Sequence, residues 1–173
     1  DLDNCRLKVD FSIEDIHTLI QDLLEKKIGK PARKLHTARS RNDQVSTDTR
    51  MFAKDFIHLL IKDIDNLETA LGEFAAKNKQ VKKLPGYTHL QHAQPVNLSD
   101  YTGAYKAMLE RDKDRFKEIY KRVNVLPLGS CALAGTTLPI DRKFVAKQLG
   151  FSSVAGNTID AVSDRDFVIE ILS

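Results

Sequence analysis

The segment from residue 43 to about residue 79 constrains the fold of this chain more than any other feature. It contains no proline and a single glycine, Gly72, and its apolar residues recur at steps of three and four: Phe52, Phe56, Leu60, Ile64, Leu67, Leu71 and Phe74. This spacing predicts one amphipathic helix about 50 Å long. Helices of that length are typical of helical bundles and of rods that span subunits.

A shorter helix is predicted ahead of the long one. Ser12 and Asp15 match the spacing of a capping box, and Phe11 and Ile16 occupy the positions of a hydrophobic staple. We therefore expect a helix over residues 13–28, which a glycine and a proline then end. A basic connector is expected to follow it and to lead to the long helix.

Three more helices are predicted downstream, over residues 99–123, over residues 141–149 and after the start signal formed by Ser163 and Asp166. Between the first two lies a connector rich in small residues, 126–138. No run alternates apolar with polar residues as a half-buried strand would. The predicted fold class is therefore all-α, a bundle of long helices.

Composition and charge narrow the possible functions. The 27 basic and 24 acidic residues are interleaved and leave a net charge of +3, so no basic stripe indicates a nucleic-acid partner. No segment approaches the roughly 18 consecutive apolar residues of a membrane span. The two cysteines, Cys5 and Cys131, fit no metal or redox spacing, which favours a reducing compartment and a cytoplasmic protein.

The polar turn over residues 86–95 is the first candidate site. It places Thr88, His89 and His92 among carboxamides, between a glycine and a proline. His89 is a natural general acid or base, because an imidazole titrates near neutral pH. An ordinary capping or packing pair formed by Thr88 and His89 is the alternative. A metal site at His89 and His92 is weakly indicated, since the turn contains no cysteine or carboxylate.

The residues at the start of the long helix form a second candidate site. Arg39, Ser40, Arg41 and Asn42 are donors suited to a substrate carboxylate at a helix N-terminus. The alternative is that Ser40 or Asn42 only caps the helix while the arginines are solvated. On the first helix, His17 could face a cleft or could simply be a surface histidine.

Five segments, in this order along the chain, resemble the argininosuccinate lyase family of the aspartase and fumarase superfamily. They are EDIHT at 14–18, KLHTARSRNDQVSTD at 34–48, GYTHLQHAQP at 86–95, NVLPLGSCALAGTTLPIDR at 124–142 and DAVSDRDFVIE at 160–170. The sequence departs from the family pattern at Ala38, His92 and Cys131. None of these departures removes a residue to which the resemblance gives a role.

The resemblance implies a homotetramer whose long helices pool into a shared multi-helix core. Residues 1–42 would then end an N-terminal helical domain, and residues 43–173 would begin the central helical-bundle domain. It also implies a reaction that cleaves argininosuccinate to arginine and fumarate, without cofactor or metal. A mobile loop that carries a catalytic serine is expected beyond residue 173.

The same resemblance implies roles for individual residues. His89 matches the catalytic histidine, acting as acid or as base. The implied substrate-binding residues are Asn42, Thr88, Ser40, Arg41 and His17. Arg165 is a weaker candidate for a supporting contact. Two other hypotheses remain open: a delta-crystallin-like structural protein of the same fold, and a helical oligomerisation module with no site.

Overall fold

Two long helices dominate the computed structural model, which describes residues 12–81 and 83–173. They are α2, Arg41–Lys77, and α3, Leu98–Val123. Early in α2, Arg50 donates to the Val123 carbonyl at the end of α3. Further along α2, Glu68 binds Lys113 in the middle of α3, so the two helices are antiparallel. Both helices and their packing confirm the sequence prediction, and the all-α fold class is confirmed with them.

The main core lies between these helices and a short helix near the end of the chain. Its fully buried members include Ile57 and Val123, and Phe167 packs against them at 2% exposure. The apolar residues that predicted α2 do not all line this core. Phe52 is 69% exposed and Phe74 is 53% exposed, so part of the apolar stripe faces away from the rest of the chain.

The first helix begins three residues later than predicted. Helix α1 is Ile16–Ile28, and its N-cap is Asp15, whose carboxylate accepts a hydrogen bond from the Thr18 N–H at 2.6 Å. The prediction with Ser12 as the cap was therefore wrong, because Asp15 takes the capping position. The predicted staple partner Phe11 and also Cys5 lie outside the described residues. The expected connector after α1 is a 3-10 helix, Lys30–His36.

The polar turn is a small antiparallel hairpin. Strand β1 is Tyr87–Thr88 and strand β2 is Gln91–His92, paired Tyr87 with His92 and Thr88 with Gln91. Leu84 and Val96 form a further antiparallel bridge below the strands. Strands of two residues are too short to show alternation in a sequence, which explains why this hairpin was not predicted.

The remainder of the chain packs near the start of α2 and the end of α3. Strand β3, Val125–Leu126, pairs in parallel with β4, Ser153–Val154, and was not predicted. Helix α4, Arg142–Gln148, and helix α6, Asp166–Leu172, agree with prediction, whereas α5, Thr158–Ser163, was missed.

A second, smaller core closes the region around β3 and α4. It contains Leu126, Ala146 and Phe151. The Lys54 ammonium reaches it from α2, donating to the Gly150 carbonyl and lying 4.3 Å from the centre of the Phe151 ring. None of the helices within the described residues is long and apolar enough to cross a membrane.

Candidate active site

The hairpin presents His89 at its tip. His89 and Leu90 form the two-residue loop and both have positive φ, 48° and 61°. Hairpin loops with two positive φ values usually use asparagine and glycine, because other side chains are strained there. Leu90 is 94% exposed, and Thr88 and His89 are exposed beside it. A strained, exposed loop is a signature of a functional site more than of a packing site.

The base of the hairpin is held by a close backbone approach. Ala93 N–H donates to the Gly86 carbonyl at 2.8 Å. A Cβ atom at Gly86 would lie 2.2 Å from the Gln94 carbonyl oxygen, so the position requires glycine. Gly86 therefore fixes where the hairpin leaves the body of the protein.

His92 has a different environment from His89. Its ring packs against Tyr87, with 4.7 Å between ring centres. Across residues 12–81 and 83–173, no three His, Cys, Asp or Glu side chains are grouped to hold a metal ion. The contact between the Tyr87 and His92 rings therefore supports the pairing of β1 with β2.

At the start of α2, Ser40 and Asn42 have defined partners. Ser40 is the N-cap: its N–H donates to Asp43 Oδ1 at 2.9 Å, and its hydroxyl accepts from the Asn42 N–H. The Asn42 side chain donates from Nδ2 to the Ala132 carbonyl at 2.9 Å and remains exposed. The capping role is therefore present, and Asn42 is oriented toward the segment around residue 132.

Arg41 joins α1 to α2. Its guanidinium donates to Asp15 Oδ2 at 2.8 Å, to Thr18 Oγ1 at 2.9 Å and to Gln44 Oε1 at 2.8 Å. The hydrogen bond from the Thr18 N–H, with help from Arg41, lowers the pKa of Asp15 to about 2. A substrate carboxylate would have to compete with these internal partners for Arg41.

His17, in the first turn of α1, contacts residues near the start of α2. Its Nδ1 is 3.0 Å from Gln44 Nε2 and 3.4 Å from Asp48 Oδ2. Burial raises the pKa of Asp48, and the charges of His17 and Arg39 offset part of that rise. The structure therefore brings His17 together with the residues that follow Asn42.

Arg39 and His36 complete this polar region. The two side chains approach at 3.5 Å, and burial lowers the pKa of each. Arg39 Nε is buried and has no hydrogen-bond partner among the described residues. Arg165, by contrast, donates to the carbonyls of Val162 and Asp164 in its own turn.

The two candidate sites are separate within this chain. No hydrogen bond among the described residues links Thr88 or His89 to residues 36–44. The backbone at Gly86 anchors the hairpin, and the backbone at Ser40 anchors the start of α2. The structure therefore gathers Ser40, Arg41, Asn42 and His17 into one region and places the hairpin in another.

Sequence reasoning missed the part played by Asp43, which it used only as a capping partner. Asp43 is fully buried, and its Oδ2 accepts from the N–H groups of Gly129 and Cys131 at 2.9 and 2.8 Å. Burial raises the pKa of Cys131, whose thiol contacts the Ala38 carbonyl at 3.1 Å, as a small packed residue would. No local sequence signal links residues 86 positions apart.

Comparisons with known proteins agree on one family. A family model described as "Lyase" matches residues 2–173. The argininosuccinate lyase of Moorella thermoacetica is 50% identical over 173 residues, which are 100% of this chain and 37% of that protein. The argininosuccinate lyase of Legionella pneumophila strain Philadelphia 1 is 52% identical over 160 residues, 92% of this chain and 39% of that protein.

Solved structures agree with these relatives. A crystal structure of EDDS lyase in complex with formate has a TM-score of 0.80 and 34% identity, covering 88% of this chain and 30% of that one. A variant of EDDS lyase with bound fumarate gives the same values. The chain spans less than two fifths of the length of the curated relatives it matches.

Proposed function

The chain belongs to the lyase family, and from this premise we propose that it is part of an argininosuccinate lyase, which cleaves argininosuccinate to arginine and fumarate. The observation that carries the proposal is its 50% identity, across every residue of the chain, to an enzyme of that name. The reaction would supply arginine in its biosynthesis. We also propose that the reaction takes place in the cytoplasm and requires no cofactor or metal.

The proposed reaction is an elimination. A base removes a proton from the carbon beside a carboxylate, and the electron pair left behind is delocalised into that carboxylate. The pair then forms the double bond of fumarate as the C–N bond breaks, and an acid protonates the departing guanidinium nitrogen. Hydrogen-bond donors aimed at the charged carboxylate stabilise the intermediate.

We assign His89 one of the two proton transfers, as acid or as base. Support comes from its position, since the strained loop exposes the imidazole instead of burying it. Thr88 lies next to it on β1 and would bind the substrate there. An imidazole suits this role because it changes charge near neutral pH.

We assign carboxylate binding to the start of α2. Asn42 is exposed and oriented by Ala132, with Ser40 and Arg41 beside it and His17 one contact away through Gln44. A helix N-terminus favours anions. The structures of EDDS lyase with formate and with fumarate show that a protein of this fold binds carboxylates, which supports the assignment.

We further propose that the active protein is a homotetramer with a shared helical core. The support is the apolar surface that this chain leaves uncovered, including Phe52, Leu59 and Phe74 along α2. The same helices of other subunits would pack against this apolar surface and cover it. Assembly would also let the hairpin of one copy meet the α2 start of another. We retain the division into an N-terminal domain, ending at residue 42, and a central domain, 43–173.

A delta-crystallin-like structural protein would share the fold but not the activity. The relatives at about 50% identity are named argininosuccinate lyase, which favours the enzyme. The test is to incubate the full-length protein with argininosuccinate and to measure fumarate by ultraviolet absorbance and arginine by chromatography. Equal release of both products is expected, from a particle of four subunits by light scattering. Absence of fumarate would refute the enzyme and favour the structural alternative.

A further inference from the structure

We infer that Asp43 is a positioning residue of the proposed enzyme: it fixes the backbone of residues 127–132 against the start of α2 and thereby sets the orientation of Asn42. We call residues 127–132 the clamp loop. The inference rests on the function proposed above. It gives a role to a buried carboxylate that the reaction itself does not use.

Asp43 holds the clamp loop and the helix start with the same carboxylate. Its Oδ1 accepts from the Ser40 N–H at 2.9 Å, which closes the capping box of α2. Its Oδ2 accepts from the N–H groups of Gly129 and Cys131. The side chain has 0% exposure, so these bonds, and not water, satisfy its charge.

Arg142 binds the carbonyl groups of the clamp loop. It donates to the Leu128 carbonyl at 3.0 Å, to the Pro127 carbonyl at 3.3 Å and to the Ser130 hydroxyl at 3.2 Å. A Cβ atom at Gly129 would lie 2.8 Å from Arg142, and Gly129 has a φ of 90°, so only glycine lets the two approach. The carboxylate of Asp43 thus accepts from N–H groups of the loop, while the guanidinium of Arg142 donates to its carbonyls.

The end of the clamp loop contacts Asn42. Ala132 carbonyl accepts one of the two hydrogens on Asn42 Nδ2, at 2.9 Å. The other hydrogen and the carbonyl oxygen belong to an exposed side chain that can reach a ligand. Asp43 therefore controls Asn42 in two ways, through the helix start that carries its backbone and through the carbonyl that orients its carboxamide.

The substitution Asp43→Asn tests this role with almost no change in shape. A carboxamide has one acceptor oxygen, so it cannot serve both the Ser40 N–H and the pair of N–H groups on the clamp loop. Either the hydrogen bond from the Ser40 N–H or those from the clamp loop must therefore be lost. In the full-length enzyme we expect kcat/KM for argininosuccinate to fall by at least about tenfold, which is about 1.4 kcal/mol.

A double-mutant cycle separates positioning from general instability. If Asp43 acts through Asn42, Asp43→Asn should change kcat/KM by less than about threefold when Asn42 is already alanine. Equal fold-changes in the two backgrounds would overturn the inference. Asn157→Ala is the matched control, since Asn157 caps α5 through the N–H groups of Ile159 and Asp160. It should lower the thermal midpoint and leave kcat/KM unchanged.

Arg142→Met provides a second route if Asp43→Asn fails to fold. It keeps the side-chain stem, removes the donors to the clamp loop and leaves the capping box of α2 intact. The same dependence on Asn42 is expected. An Arg142→Met effect of equal size with and without Asn42 would contradict the inference.

Amide hydrogen exchange gives a readout that needs no activity. Exchange in a peptide covering residues 128–133 should be faster in Asp43→Asn than in the wild type, and unchanged in Asn157→Ala. Unchanged exchange in Asp43→Asn overturns the inference even if activity falls. A wild-type protein that releases no fumarate refutes the proposed function instead, and exchange then decides alone whether Asp43 holds the loop.

Discussion

Gly86→Ala is predicted to displace the hairpin that carries His89. The added Cβ would lie 2.2 Å from the Gln94 carbonyl oxygen, where ordinary contact begins at 3.4 Å. The obstacle is backbone and cannot rotate away, so the strands must separate by about 1 Å at this point. A misplacement of about 1 Å in catalytic geometry can reduce the rate about a hundredfold. We expect that loss in kcat for fumarate release by the full-length protein.

The fold should survive this change. Residues 87–92 are exposed throughout, so the hairpin adds little buried surface to the folded state. The thermal midpoint of Gly86→Ala should therefore stay close to that of the wild type. Gly156→Ala is the matched control, because no heavy atom lies within 4 Å of a Cβ built there. It should keep wild-type activity.

The assay is continuous ultraviolet detection of fumarate at saturating argininosuccinate, with circular dichroism to confirm helical content. A Gly86→Ala enzyme with normal kcat would show that the position of the hairpin backbone at Gly86 does not affect the reaction. A Gly86→Ala enzyme that loses helix and activity together would show that the hairpin is part of the stable core, contrary to its exposure.

Three further predictions concern stability and assembly. Asp15 has a pKa of about 2 against an ordinary 3.8, so its charge stabilises the fold above about pH 4. The thermal midpoint of Asp15→Asn should be lower than that of the wild type at neutral pH, and the difference should shrink steadily as the pH falls from 4 to 2. A constant difference would be contrary to this account. Ile57→Ala leaves a cavity at a fully buried site and should lower the free energy of unfolding, measured with urea, by about 2–5 kcal/mol. A loss below about 1 kcal/mol would mean that Ile57 is not part of the main core. Phe52→Asp, at a side chain 69% exposed in this chain, should keep the helix signal but reduce the sedimentation mass; an intact tetramer would contradict a shared core at that face.

Local signals predicted the helices well. The capping box of Ser40 and Asp43 marks the start of α2, since its two hydrogen bonds join residues three apart or closer. The start of α1 was misjudged because Ser12 and Asp15 are both good caps. Arg41, 26 residues away, binds Asp15, and such a partner is not visible in a local pattern.

Long-range pairing explains what the sequence did not predict. Leu126 pairs with Val154 in the parallel strands, and no periodicity joins two segments of two residues each. The apolar period of α2 indicates an amphipathic helix but does not tell which part of the stripe this chain buries. Ile57 is buried while Phe52 is exposed, because α3 covers only one side of α2.

The candidate site shows the same limit. Family resemblance predicted His89 and Asn42 as site residues, but not the contact with Ala132 that orients Asn42. The bonds from Asp43 to Gly129 and Cys131 cross 86 and 88 residues of chain. They exist only after α2 and the clamp loop have packed, so a local sequence pattern cannot reveal them.

The most direct test of the central claim is the rate of fumarate release by the full-length protein carrying His89→Asn. The account predicts a fall in kcat of at least about a hundredfold, the loss expected when acid or base catalysis is removed. His92→Asn is the control, since His92 packs against Tyr87 and takes no part in the proposed chemistry; it should keep most of the activity. An unchanged rate in His89→Asn would contradict the assignment of proton transfer to the hairpin.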